Sequence, residues 1–98
     1  TVCAVFEGFM DYLSAMQLCI IASDWLVLNS VSNVEKAVRA LHGYEMIECF
    51  LDNDDAGRRT FQRLHECFGE KVIDRSSLYA EHKDLNEFLL FKNAENNV

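Results

Sequence analysis

The chain has 98 residues, half of them hydrophobic and 26% charged, which is material for one globular domain with one modest core. Sixteen acids against nine lysines and arginines leave a net charge of −7, excluding a basic sleeve that grips nucleic acid by net charge alone. With no proline and four glycines, linker and low-complexity readings are excluded as well.

Val2 to Phe6 is a continuous apolar run, the mark of a strand covered on both faces. Gly8 opens a segment with Phe9, Leu13, Met16 and Ile20 at helical spacing, which predicts a helix to about Ala22. Trp25 to Leu28 reads as a second strand. Ser32-Asn33-Val34-Glu35 has capping-box spacing, and Val34, Ala37, Val38 and Leu41 supply the stripe of a second helix that Gly43 ends. Met46 to Leu51 is a third strand, interrupted by Glu48. A third helix runs from about Asp55 to Phe68, stopped by Gly69, and Lys71 to Asp74 is a short fourth strand. Ser76 to Lys83 reads as polar loop, Asp84 to about Lys92 as a last helix, and residues 93–98 as a tail without pattern. The expected organisation is one domain over residues 1–92 and an unstructured tail, cut from a longer protein.

The alternation predicts an α/β domain: a mainly parallel four-stranded sheet flanked by helices. Phe9, Trp25, Phe50, Phe61, Phe68 and Phe88 are core candidates before they are stacking platforms for bases. Of the four cysteines, Cys3, Cys19 and Cys49 lie in apolar runs and behave as small hydrophobes. No pair is spaced C-x-x-C, so reduced thiols in a cytoplasmic protein are expected. No apolar run approaches the roughly 20 residues of a membrane span.

Parallel sheets place functional groups beyond the carboxyl ends of their strands. Beyond the first strand stands Glu7-Gly8-Phe9-Met10-Asp11, beyond the third Asp52-Asn53-Asp54-Asp55-Ala56-Gly57-Arg58, and after the fourth Lys83-Asp84-Leu85-Asn86-Glu87-Phe88. Acids converging on one rim repel unless a cation compensates, and hard oxygen donors without local His or Cys point to magnesium or manganese. Each segment also has a structural reading: Glu7-Gly8 as a strand-to-helix turn, Asp54 as an N-cap, Asp84 with Glu87 as a capping box. An EF-hand fails because Ala56 and Arg63 stand where it needs oxygen ligands, and a G-x-x-x-x-G-K phosphate loop is absent. The dispersed His42, His65 and His82 suit surface positions.

In this order and on these elements, Glu-Gly-x-x-Asp, Asp-x-Asp-x-Ala-Gly-Arg and Lys-Asp-x-Asn-Glu-Phe resemble the Toprim domain, over residues 2 to 92. That domain is shared by bacterial-type primases, type IA and type II topoisomerases, OLD-family nucleases and RecR-like recombination proteins. The motifs are most similar to primases of the DnaG type and primase-like proteins of mobile elements, although Leu85 and Asn86 replace the Pro and Asp usual in the third motif. The resemblance implies a Rossmann-like three-layer fold and Mg²⁺ or Mn²⁺ as cofactor. It implies Glu7, Asp52 and Asp54 as catalytic and metal-binding acids, Asp84 and Asn86 as further metal positions, and Asp11, Gly8 and Gly57 as their support. Arg58 and Lys83 become candidate phosphate contacts, with Arg59 an exposed surface charge. Tyr12, Tyr44 and Tyr79 are not expected to act as topoisomerase nucleophiles, since the family keeps that tyrosine in another domain.

The implied activity is nucleotidyl transfer, making RNA primers from ribonucleoside triphosphates on a DNA template in DNA replication. A zinc-binding module and a helicase region are the expected neighbours in the full-length protein, and no membrane is involved. The alternatives are a Toprim nuclease, in which water attacks, and a non-catalytic nucleic-acid-binding or docking module.

Overall fold

A computed structural model describes residues 1–20 and 24–96. Four strands, β1 (Val2–Phe6), β2 (Asp24–Val27), β3 (Met46–Phe50) and β4 (Val72–Asp74), pair in the order β2-β1-β3-β4, each pair parallel. The helices α1 (Phe9–Gln17), α2 (Val34–Ala40), α3 (Asp55–Phe68) and α4 (Leu85–Asn96) alternate with the strands and flank the sheet. The α/β, parallel-sheet expectation therefore holds.

The unbroken apolar runs follow from this layering, because alternate residues of one strand meet different helices. Cys3, Val5, Ile47, Cys49 and Val72 face a core completed by Ala37 of α2, Leu41 at its C-cap and Leu64 of α3. Ala4, Phe6 and Phe50 face a second core with Tyr12, Ala15, Tyr79 and Leu85. Glu48, the interruption in the third run, lies toward the β4 edge, where Arg75 Nε donates to its Oε2 at 2.6 Å.

Several boundaries differ from the sequence reading. Helix α1 stops at Gln17 rather than near Ala22, because Cys19 turns into the left-handed region (φ 58°) and the Ile20 N–H closes onto the Ala15 carbonyl. Ile21, Ala22 and Ser23, like Asn97 and Val98, lie outside the described residues. The cap near the second helix is Ser30, which accepts from the Ser32 N–H and opens a 3₁₀ turn, Val31–Asn33, ahead of α2. Ser76–Tyr79 forms a further 3₁₀ turn inside the segment read as loop. The tail assigned to residues 93–98 is helical through Asn96, an exposed last turn that needs no apolar stripe to continue its hydrogen bonding.

Two core candidates and one cysteine are misplaced by the pattern. Phe9 is 52% exposed on the outer face of α1, and Trp25 is 47% exposed on the edge strand β2, stacked on Tyr12 with ring centroids 4.0 Å apart. Cys19 is exposed at the end of α1, whereas Cys3 and Cys49 are buried, and all four cysteines are unpaired. Among the described residues no helix is long and apolar enough to cross a membrane.

Candidate metal centre

The chain leaves β1 toward β2 on one side, then returns past β1 to β3 on the other. The crevice between the carboxyl ends of β1 and β3 is thus the point at which the connections diverge, where open α/β sheets hold ligands. Glu7 follows β1 and Asp52 follows β3 there, and the Asp52 N–H donates to Glu7 Oε1 at 3.4 Å. Helices α1, α3 and α4 all begin at this edge, so their positive amino ends offset part of the acidic charge.

Two groups of carboxylates assemble in the crevice. Glu7, Asp52 and Asp54 bring one oxygen each to within 4.8 Å of one another, and so do Asp11, Asp52 and Asp84. Asp52 belongs to both. Its Oδ1 is buried and has no hydrogen-bond partner among the described residues, a costly state for a carboxylate oxygen unless a cation meets it. Burial, then Glu7, Asp84 and Asp54, push the Asp52 carboxyl up to about 7. Burial, with Asp84 and Asp52, pushes Asp11 up to about 6 against the stabilising N–H of Asn86. Donors that are all oxygen, crowded enough to resist ionising together, fit a hard divalent ion such as Mg²⁺ or Mn²⁺. An open groove of about 370 Å³, lined by Glu7, Asp11, Asp52, Asp84 and Asn86 among others, gives access.

Local structure fixes these acids, and the capping roles expected of Asp54 and Asp84 are present. Asp54 caps α3, its Oδ1 accepting the Gly57 N–H at 2.7 Å, and Asp84 caps α4, its Oδ1 accepting the Glu87 N–H at 2.8 Å. Asp11, in the first turn of α1, accepts the Asn86 N–H at 3.1 Å and so ties α1 to α4. Gly57 lets α3 lie directly on the strand end: a Cβ there would drive into the Asp52 carbonyl oxygen and sit 2.9 Å from its carbon. Gly8 is different. Its backbone is extended (φ −128°), and a Cβ would meet Asp11 Oδ2 at an ordinary 3.4 Å, so no tight turn demands glycine there.

Two positioning groups were not anticipated from the sequence. Asn53, between the paired aspartates, donates from Nδ2 to the carbonyls of Tyr79 and His82, each at 2.9 Å, and its N–H donates to the Lys83 carbonyl at 2.6 Å. It thereby fastens the segment leading to Asp84 onto the end of β3. Tyr79, buried, donates its hydroxyl to the Leu51 carbonyl at 2.6 Å. The Asp-x-Asp spacing gives no hint of either clasp; only the amide at the middle position could have suggested one.

The remaining candidates separate. Asp11, expected as support, stands in a carboxylate group itself. Asn86 lines the groove, but its Oδ1 lies 3.1 Å from the Ser14 hydroxyl, whose single proton is shared with the Met10 carbonyl at 2.9 Å. That oxygen accepts one bond from α1 and keeps a second lone pair facing no other donor among the described residues. Arg58 is exposed and pairs with Asp55 at 3.4 Å, while Lys83 and Arg59 are exposed and form no ion pair among the described residues.

Because Asp52 and Asp11 titrate higher in the folded chain than in an unfolded one, the native state holds extra protons between about pH 4 and pH 7. Stability falls as pH rises through that window. The metal-free protein is expected to melt roughly 5–10 °C lower at pH 8 than at pH 5, with Mg²⁺ at pH 8 recovering most of the loss. A melting temperature flat across this range in calorimetry would contradict the crowding of these carboxyls.

A family model described as Toprim-like matches residues 4–89. No curated protein matches the sequence. Among solved structures, the primase fragment of the bacteriophage T7 primase-helicase protein superposes with a TM-score of 0.74 at 26% identity, covering 94% of this chain and 40% of that one. Primase domains bound to an RNA/DNA hybrid and dTTP, interacting with the bacteriophage T7 lagging-strand DNA polymerase, superpose with a TM-score of 0.72 at 24% identity, covering 95% and 49%. The second likeness shows the shared fold, and the chain spans less than half the length of either structure. The family match begins inside β1 and ends inside α4, so it takes in every acidic segment of the rim, and the chain belongs to the Toprim-like family.

Proposed function

We propose that this domain is the metal-binding catalytic core of a primase-like enzyme, joining ribonucleotides into a primer on a DNA template. The observation that supports it most is Asp52, a carboxylate shared between two oxygen clusters and left with a buried, unpartnered oxygen. The 26% identical primase fragment agrees with that reading.

In this reading Glu7, Asp52 and Asp54 hold one divalent ion, and Asp11, Asp52 and Asp84 a second, while Asn86 holds Asp11 in place. When bound, such ions stabilise the attacking and departing oxygens of an in-line displacement. The primer 3′-hydroxyl attacks the α-phosphorus of the incoming triphosphate, and the bond to pyrophosphate breaks. Glu7 is suited to take the hydroxyl proton, since its carboxylate lines the groove. Asn53 and Gly57 act earlier, by setting the spacing of the acids so that little reorganisation remains at the moment of reaction. Arg58 and Lys83 contact phosphates of the nucleotide or template. In the full-length protein a zinc-binding module and a helicase region would supply basic surface and template handling.

The test is incorporation of labelled ribonucleotides on single-stranded DNA with Mg²⁺ or Mn²⁺, run beside a DNA-cleavage assay. Template-dependent incorporation supports the proposal. Cleavage without incorporation would make the domain a nuclease, and neither activity would leave a docking module. A domain of charge −7 repels DNA, so binding by this chain alone is expected to be weak and to strengthen at least tenfold in 5–10 mM Mg²⁺. Tight binding in EDTA, read by fluorescence anisotropy, would contradict the role given to the acidic rim.

A further inference from the structure

A second groove, of about 360 Å³, opens on the other side of Asp52, between the first turns of α3 and the residues that follow β4. Its chemistry is unlike that of the acidic crevice. Phe61 gives it a half-buried aromatic wall, seated on the core below. Gln62 contributes an amide that makes no hydrogen bond among the described residues, and Arg58 lines it as its only cationic side chain. Asp74 is oriented by the Ser76 N–H, which donates to its Oδ1 at 2.8 Å. An apolar wall beside an unengaged amide and an oriented carboxylate suits a planar polar ring, whereas Asp52 and Asp74 outnumber Arg58 and disfavour a polyphosphate inside it.

We propose that this groove holds the nucleoside end of a nucleotide, its base against Phe61 and its polar edge read by Gln62, with the phosphates directed past Asp52 toward the carboxylate crevice. The volume suits a single nucleoside. The proposal deepens the reading above, on which the placement of the phosphates rests, but the groove's affinity for the base does not need catalysis.

Amide NMR perturbation of the ¹⁵N-labelled protein in Mg²⁺ separates the two ideas, using ATP, inorganic triphosphate and adenosine as probes. Triphosphate should shift signals of the carboxylate crevice, Glu7, Asp11 and Asp84 among them, and leave Phe61, Gln62 and Ser76 unmoved. ATP should shift these and also Phe61, Gln62 and Ser76, and adenosine should shift the latter group alone. Gln62→Ala and Phe61→Leu should raise the dissociation constant for ATP at least fivefold while leaving that for triphosphate unchanged. If ATP and triphosphate perturb the same residues, or adenosine shifts nothing in the groove, the base site is overturned and the metal-site reading stands. If triphosphate perturbs nothing while adenosine still shifts Gln62 and Ser76, the metal-site reading fails and the groove survives.

Discussion

Replacing Gly57 with alanine is expected to cost about 3 kcal/mol or more, lowering the melting temperature by roughly 12 °C or more in a domain of this size. Alanine is the better helix former, so propensity alone predicts a gain at this position inside α3. Packing overrides propensity, because the added methyl has no room against the Asp52 backbone, which is held in turn by the β3 strand end. Relief requires α3 to lift away, and that movement carries Asp54, whose carboxylate is bonded to the Gly57 N–H. Thermal melting by circular dichroism checks the stability, and the Mg²⁺-dependent rise in melting temperature checks the site. A variant within 2 °C of the parent would mean that helix and strand end are not in contact.

Asp52→Asn is expected to separate stability from function. The substitution keeps the shape and removes a charge that the fold holds at a cost, as the upward shift of its carboxyl to about 7 indicates. At pH 8 without metal the variant should therefore melt several degrees above the parent. Both oxygen clusters lose their common member, so the stabilisation by Mg²⁺ should nearly vanish, and nucleotide incorporation should fall at least 10³-fold. A site built for an ion is destabilised without it, and removing the destabilising charge removes the binding. An Asn variant no more stable than the parent in EDTA, yet still responsive to Mg²⁺, would place the ion elsewhere.

Much of this arrangement was legible before any coordinates, for a physical reason. Each strand is a short apolar run covered on both faces, each crossover has a helical stripe, and in a parallel sheet the acids that end strands must share one edge. Glu7, Asp52 and Asp54 therefore came together as expected. The nearness of Asp11 to Asp84 and Asp52 is not legible in the sequence, because it depends on how α1 packs against α4, a contact between remote segments that no local spacing encodes. Helix α1 was drawn too long because Ile20 continues its apolar stripe, although that side chain reaches the same core after a left-handed residue breaks the helix. Asn86, a metal position by resemblance, also has a structural part that spacing does not reveal: its backbone N–H holds Asp11 and its side chain meets Ser14.

Asn53 shows what a two-letter acidic signature leaves out. Its primary amide meets main-chain carbonyls from a segment more than twenty residues downstream, and few other side chains have the geometry to do so. A carboxylate at that place would repel those carbonyls as well as its two neighbours, and a serine would fall short of them. The middle letter between the two aspartates therefore fixes where the last arm of the polypeptide closes, so a motif scan blind to it would pass chains whose third acid never arrives.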